Sequence, residues 1–323
     1  MYTCDTLSAK RRLPMLLRDL LRDRIAPLKN LSERSVVMYE STLDRLRVYL
    51  GHEPTLDDLD DLVISKFLRW RATTVHDAKR GLISPASLAK DSAHIRTCWN
   101  WCAKKRMKRA NGELLEFPDY ARPRVPKPRP VAYTVEELQR LVAASKHRKG
   151  YIVPGLPAAW YWTTKLQAMF QTGERIGAIL AIRWGEVDLK RCTLTFLAAT
   201  RKGHRETITR AITPELARML ATQKRAAGEL VWPWLEGRKI LSCYASLKVL
   251  CRVAGVPYHP FHSIRKSTAS YLKRAGKSAK TQLGHSSEEM AERHYYDERI
   301  TGVESALDFL PPLDLDGPGK PAA

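Results

Sequence analysis

Apolar residues recur at spacings of three and four along the first third of the chain. Val36, Tyr39, Leu43, Leu46 and Leu50 make one such stripe, preceded by Ser32 and stopped by Gly51. A side-chain oxygen at the start accepts from a free backbone N–H, and glycine takes the left-handed conformation that ends a helix. The pattern therefore predicts an amphipathic helix with both ends marked. Leu59 to Arg71 reads as a second helix. Pro85 lies at the start of a third, whose apolar face is Ile95, Cys98, Trp99 and Cys102. Residues 31–110 are expected to form a small all-helical domain, with the basic, leucine-containing residues 1–30 as an arm before it.

Thr134 with Glu137 is a capping box, and Leu138, Leu141 and Val142 continue that helix. Trp160 to Gln171 predicts another, closed by Gly173, and a further one starts at Arg175 and runs to Arg183. The period then changes. Thr193-Leu194-Thr195-Phe196-Leu197 and Glu206-Thr207-Ile208-Thr209-Arg210-Ala211-Ile212 alternate, and a turn containing Lys202-Gly203 separates them. This is the pattern of a β-hairpin. Thr213-Pro214-Glu215 opens the next helix, and the rest to about Leu310 reads as mostly helical. The fold class expected is mainly α with a small β-hairpin, a helical domain followed by an α+β domain. Residues 133–310 form the second domain and 311–323 a tail. Between the domains, residues 111–132 contain Ala121-Arg122-Pro123-Arg124-Val125-Pro126-Lys127-Pro128-Arg129-Pro130. So many prolines forbid helix or central strand, so this linker is expected to be extended and semi-rigid.

Composition sharpens the picture. The 323 residues suffice for two domains, and 44% hydrophobic content argues for a packed core. The formal net charge of +21 points to a polyanion, because Lys and Arg neutralise phosphates and release condensed counterions. Lys104, Lys105, Arg106, Lys108 and Arg109 follow Trp99 and Trp101, and Arg122, Arg124, Lys127 and Arg129 stud the linker. They are the candidate contacts to a DNA backbone; a solvated charged face and a plain spacer are the simpler readings. Six cysteines without a C-x-x-C pair suit free thiols in a reducing cytoplasm rather than disulfides or zinc. There is no run of eighteen apolar residues, no signal segment and no lipidation motif, so a soluble, nucleoid-associated cytoplasmic protein is expected.

Five pieces of the C-terminal half carry candidate chemistry. They are Thr172-Gly173-Glu174-Arg175-Ile176, Arg201-Lys202-Gly203-His204-Arg205, His262-Ser263-Ile264-Arg265, Leu283-Gly284-His285 and His294-Tyr295-Tyr296. Cleaving a phosphodiester requires neutralised phosphoryl oxygens, an activated nucleophile and a proton for the departing oxygen. Arg175 and Arg265 suit the first task through their planar forks. On a helix, His262 and Arg265 share a face. Lys202 is placed to protonate a leaving 5′ oxygen, His262 to accept the tyrosine proton, and His285 to bond the phosphate. Tyr295 is the candidate nucleophile. Each residue alone has an ordinary structural reading, as a salt bridge, a satisfied histidine or a core tyrosine. No carboxylate or thiol joins the histidines at metal-ligand spacing, and no cofactor is expected.

At these residues the sequence resembles the tyrosine recombinase, or phage integrase, family. Thr172 to Ile176, running on to Ala181-Ile182-Arg183-Trp184, is similar to the family's first arginine box. His262-Ser263-Ile264-Arg265-Lys266-Ser267-Thr268 resembles its H-x-x-R box, and Leu283-Gly284-His285-Ser286-Ser287 the segment before the nucleophile. The resemblance implies that residues 31–110 are a core-binding (SAM-like) domain and 133–310 a catalytic domain, closing as a clamp on duplex DNA. It implies strand transfer through a 3′-phosphotyrosine without metal or ATP, by Arg175, Lys202, His262, Arg265, His285 and a tyrosine. Implied partners are double-stranded DNA and further copies in a synaptic tetramer, with a directionality factor as an optional addition and no membrane. The amphipathic segment Val303 to Leu310 would dock on a neighbouring subunit.

Three positions depart from the family pattern. Ala178 stands where an acid often follows the first arginine, leaving Glu174 or Glu186 as substitutes. Arg201 precedes Lys202, so the lysine's register depends on the hairpin turn. The family tyrosine usually stands nine residues after the Leu-Gly-His histidine, and that position is His294. One inserted residue restores the match to Tyr295, and Tyr296 is the neighbouring alternative. The functional alternatives are a type IB topoisomerase-like enzyme and a catalytically silent DNA-binding regulator.

Overall fold

The computed structural model describes residues 15–74, 81–126, 129–201, 206–283 and 288–302. Lys127, Lys202, His285 and the segment from Val303 to Leu310, singled out above, lie outside the described residues. So do residues 1–14 of the arm and the whole tail. The chain divides into two compact units, residues 1–127 and 128–323.

Among its described residues the first unit contains helices and no strand. It begins with α1 (Leu17–Leu20) and α2 (Ala26–Leu28), joined by a π-helical turn over Leu21–Ile25. Next comes α3 (Glu33–Leu50), where Ser32 accepts from the Ser35 amide and Gly51 ends the helix at φ 79°. Val36, Leu43 and Leu46 are buried, as the apolar stripe requires. Then follow α4 (Asp61–Thr73) and α5 (Pro85–Lys104), with Asp60 and Ser84 as their caps. Leu17, Leu21, Ile25, Leu46, Phe67, Trp99 and Cys102 share one core.

Two features of this unit differ from the composition-based reading. From Leu17 onward the arm is part of the core, because Leu17, Leu20, Leu21 and Ile25 are all buried there. The first part of the proposed linker also packs on this unit: Leu115 and Tyr120 are buried in its core. The indole of Trp99 donates to the Glu116 carbonyl at 2.6 Å, and Arg96 donates to the carbonyls of Pro118 and Tyr120 at 2.9 and 2.5 Å. An irregular segment cannot pair its own backbone, so it settles where α5 offers donors.

The second unit opens with α6 (Val135–Ser145), capped by the Thr134–Glu137 box. Then come α7 (Ala158–Thr172) and the short α8 (Ile176–Ala181), followed by β1 (Val187–Asp188), β2 (Thr193–Phe196) and β3 (Ile208–Ala211). The strands form an antiparallel sheet in the order β1-β2-β3, with Thr193 opposite Ala211 and Phe196 opposite Ile208. Leu194 and Phe196 point into the core, and Thr193 and Thr195 lie on the other face. Strand β1 has two residues, too few to show an alternation. The remaining helices are α9 (Pro214–Ala221), α10 (Ile240–Val253), α11 (His262–Arg274), α12 (Ala279–Leu283), α13 (Glu288–His294) and α14 (Glu298–Thr301). No helix among the described residues is long and apolar enough to cross a membrane.

Helix α7 runs through the middle of this unit, with Tyr161, Trp162, Leu166, Ala168 and Met169 buried. Lys165 is buried with them at 0% exposure. Its Nζ lies 3.6 Å from the Trp162 ring centroid and 3.4 Å from Cys243 Sγ. Burial pushes this amine down to about 8. Between pH 8 and the ordinary lysine range the unfolded chain holds the extra proton, so stability rises with pH there. Below pH 8 the desolvation cost is present in full, about 3 kcal/mol at 1.4 kcal/mol per pH unit. Lys165→Met is therefore expected to stabilise the protein by roughly 1–3 kcal/mol at pH 7, part of the gain being offset by the lost cation–π contact. The gain should shrink toward pH 10. Urea denaturation at the two pH values measures it, and an equal gain at both would sink the account.

Candidate active site

The site is assembled where α7, α11 and α12 meet. Gly173 ends α7 at φ 66°, and a Cβ there would fall on Leu283 Cδ2 and come within 3.2 Å of Thr268 Cγ2. Only glycine satisfies both the left-handed backbone and the close approach of α11 and α12. Arg265 rises from the first turn of α11 into this junction and is 1% exposed. Its Nη1 donates to the Gly173 carbonyl at 2.6 Å and its Nη2 to the Leu283 carbonyl at 2.7 Å. Carbonyls at helix C-termini lack intrahelical partners and carry partial negative charge, so a guanidinium suits them.

Burial pulls the Arg265 pKa down, and the nearby Arg175 charge adds to that. Tyr295 and Glu174 act in the opposite sense, Tyr295 partly through a side-chain hydrogen bond. Arg175 is half-buried at the N-cap of α8, where its carbonyl accepts from the amides of Ala178 and Ile179. Ala178 is buried in the core. Of the two carboxylates considered as substitutes for an acid there, Glu186 is occupied by the Arg183 amide at 2.8 Å. Glu174 is 1% exposed and pairs with Arg201, with 3.4 Å between Oε1 and Nη2.

The two tyrosines part company after α13. Tyr295 is 6% exposed and turns to α11, its ring edge-on to His262 with centroids 5.2 Å apart. The Arg265 Cζ lies 5.6 Å from the same ring. Tyr296 instead faces Lys273, whose Nζ is 5.6 Å from its ring centroid. Ser270 fixes this backbone: its hydroxyl donates to the Tyr295 carbonyl at 3.2 Å and accepts from the Asp297 amide at 2.9 Å. Asp297 in turn accepts from the Ala132 amide at 2.7 Å and caps α14. Burial alone would raise the Asp297 carboxyl, but hydrogen bonds from Arg299 and Ala132 bring it below its ordinary value.

Arg175, His262, Arg265 and Tyr295 are thus brought together, with Arg201 and Leu283, the residues bordering Lys202 and the Gly284-His285 pair, on the same junction. Glu174 is one of two candidates to replace the acid near Arg175, and its pairing with Arg201 was not foreseen; the roles of Ser270 and Asp297 had no signal of their own in the sequence. Among the candidate DNA contacts, Lys104, Lys105, Arg106 and Lys108 are exposed at and beyond the end of α5, as are Arg122 and Arg124 further on. Arg109 is half-buried and donates to the carbonyls of Asp57 and Leu59 at 3.0 and 2.8 Å, supporting the turn before α4. Arg129 is exposed and pairs with Glu298 at 2.6 Å. Among the described residues no cluster of three His, Cys, Asp or Glu side chains could hold a metal ion.

The model of the phage integrase family matches residues 133–300, just over half of the chain. Among curated proteins, "Putative tyrosine recombinase XerC" of Pseudomonas aeruginosa is 24% identical over 211 residues, 61% of this chain and 46% of that protein. "Putative integrase/recombinase" of Haemophilus influenzae is 26% identical over 148 residues, 45% of this chain and 39% of that protein. The chain thus spans less than half the length of these curated relatives. Among solved structures, a lambda integrase dimer bound to a COC′ core site superposes with a TM-score of 0.64 at 15% identity, covering 90% of this chain and 99% of that one. The XerH site-specific recombinase bound to difH in a post-cleavage complex gives 0.61 at 14% identity, covering 87% and 82%. These two likenesses establish a shared fold.

Proposed function

The chain belongs to the phage integrase family, and from that premise we propose that it is a site-specific DNA recombinase acting through a 3′-phosphotyrosine. The observation that carries this reading is the convergence of Arg265 and His262 on the ring of Tyr295. Arg175 and Arg265 neutralise the non-bridging oxygens of the scissile phosphate. The Tyr295 hydroxyl attacks phosphorus, its proton passes to His262, and a phosphorus–oxygen bond to tyrosine forms. The bond to the 5′ oxygen breaks, and Lys202 supplies the proton that oxygen needs. His285 hydrogen-bonds the phosphate. The phosphodiester energy is kept in the tyrosyl link, so a second 5′ hydroxyl reverses the step and joins a new strand without metal or ATP.

The substrate is double-stranded DNA, which the net charge of +21 favours. Exposed Lys104, Lys105, Arg106, Lys108, Arg122 and Arg124 supply backbone contacts, and Lys127 and Arg129 are the further candidates of the linker sequence. Full recombination takes place between copies in a synaptic tetramer, inside the cell and on the nucleoid. The element served is a phage or another mobile DNA. Incubation with a pool of nicked duplex fragments from the source genome tests the chemistry. The expected result is a protein–DNA adduct that survives denaturing detergent, and the trapped DNA gives the target site. Tight DNA binding with no adduct from any fragment would overturn the enzyme and leave a DNA-binding regulator.

A further inference from the structure

The β2–β3 turn carries Lys202, and the residue before it makes contacts that the reaction above does not use. Arg201 follows a short 3-10 turn over Ala198–Thr200. Its guanidinium donates through Nη1 to the Glu206 carbonyl at 3.0 Å, a contact that closes the chain across residues 202–205. Through Nη2 it pairs with Glu174 at 3.4 Å. Both side chains are largely withdrawn from water, at 10% and 1% exposure. Glu174 is joined on one side to Gly173, whose carbonyl holds Arg265, and on the other to Arg175. The same carboxylate acts electrostatically on Arg265 and on half-buried Arg210 of β3. A buried carboxylate is retained at a cost unless it is paired, and this one is paired with the turn rather than with Arg175's own helix. At the third residue after Arg175, Ala178 offers no charge.

We propose that Arg201 is a positioning residue, which with Glu174 as its anchor ties residues 201 and 206, the flanks of Lys202 in the sequence, to the arginine box, and that proton delivery from Lys202 to the leaving 5′ oxygen depends on it. This rests on the proposed strand-transfer reaction. Arg201 acts through Lys202 and not on the reacting atoms; it joins the residues on either side of residues 202–205. A lysine on an unanchored turn would sample many positions, and the proton would arrive late.

The test uses the full chain and the duplex recovered by covalent trapping, made in two forms. One has the ordinary 5′ oxygen at the scissile phosphate, and the other has sulfur in that bridging position. A thiolate leaves without protonation, because a thiol is a far stronger acid than an alcohol. Arg201→Gln, Lys202→Ala and the double variant Glu174→Gln with Arg201→Gln are compared with wild type. The double variant leaves no unpaired buried charge should Arg201→Gln alone fold poorly. Expected is a slowing of cleavage by about 10–10² on the oxygen substrate for Arg201→Gln and for the double variant. On the sulfur substrate all three variants should return to within a few-fold of wild type, with DNA binding unchanged. A defect of equal size on both substrates, or no defect on either, overturns the positioning role. If wild type itself forms no adduct, it is the strand-transfer reading that fails.

Discussion

Tyr295→Phe is expected to abolish the detergent-resistant DNA adduct, lowering cleavage by at least about 10⁴-fold, the scale on which loss of a nucleophile is felt. The substitution removes one oxygen and keeps the ring. Packing against His262 and beneath Arg265 should therefore survive, and DNA binding with it. Tyr296→Phe should remain within a few-fold of wild type, since that side chain faces Lys273 whereas Tyr295 lies by Arg265 and His262. Denaturing gels of trapped duplex measure both variants. Loss of the adduct in Tyr296→Phe alone would move the nucleophile one residue along and detach the proposed chemistry from the junction described above.

Arg265→Lys is expected to have two separable effects. Cleavage should fall by about 10²–10³-fold, as on removing a preorganised charge donor from a developing oxyanion. A guanidinium has five donors, and two of them serve the carbonyls of Gly173 and Leu283. A lysine ammonium has three donors on one atom and cannot span both helix ends while facing a phosphate. Leaving buried carbonyls unpaired should also cost about 2–4 kcal/mol of stability. Chemical denaturation reads that loss, and single-turnover cleavage well below the unfolding midpoint reads the catalytic one. Cleavage within a few-fold of wild type in a folded Arg265→Lys protein would remove Arg265 from the reaction.

Much of the fold was legible because local chemistry and tertiary structure agree. Ser32 and Gly51 bound α3, and the Thr134–Glu137 box opens α6. The alternation over Thr193–Phe196 and Ile208–Ala211 becomes β2 and β3. Other elements depend on distant partners. Residues 111–120 read as linker, yet Leu115 and Tyr120 are buried in the helical unit because Trp99 and Arg96 pair their backbone. The helix expected from Arg175 begins instead at Ile176, so Arg175 sits as a cap with its side chain at the junction. The shared face of His262 and Arg265 was readable from their spacing. That one is exposed and the other fully buried follows from α7 and α12 closing over the second residue only. Glu174 reads as a substitute acid for Arg175, and its pairing with Arg201 is fixed by a contact 27 residues away.

Ser270 sits on the same helix as Arg265 and grips the backbone on both sides of Tyr296. Arginine and tyrosine are therefore set by one rigid rod within one chain. Under the proposed reaction, each copy would bring its own arginine and its own tyrosine to the phosphate and borrow neither from a neighbour. Copies brought together on DNA would then trade strands, not residues. Assembly could govern when a chain cuts without having to bring Arg265 and Tyr295 together.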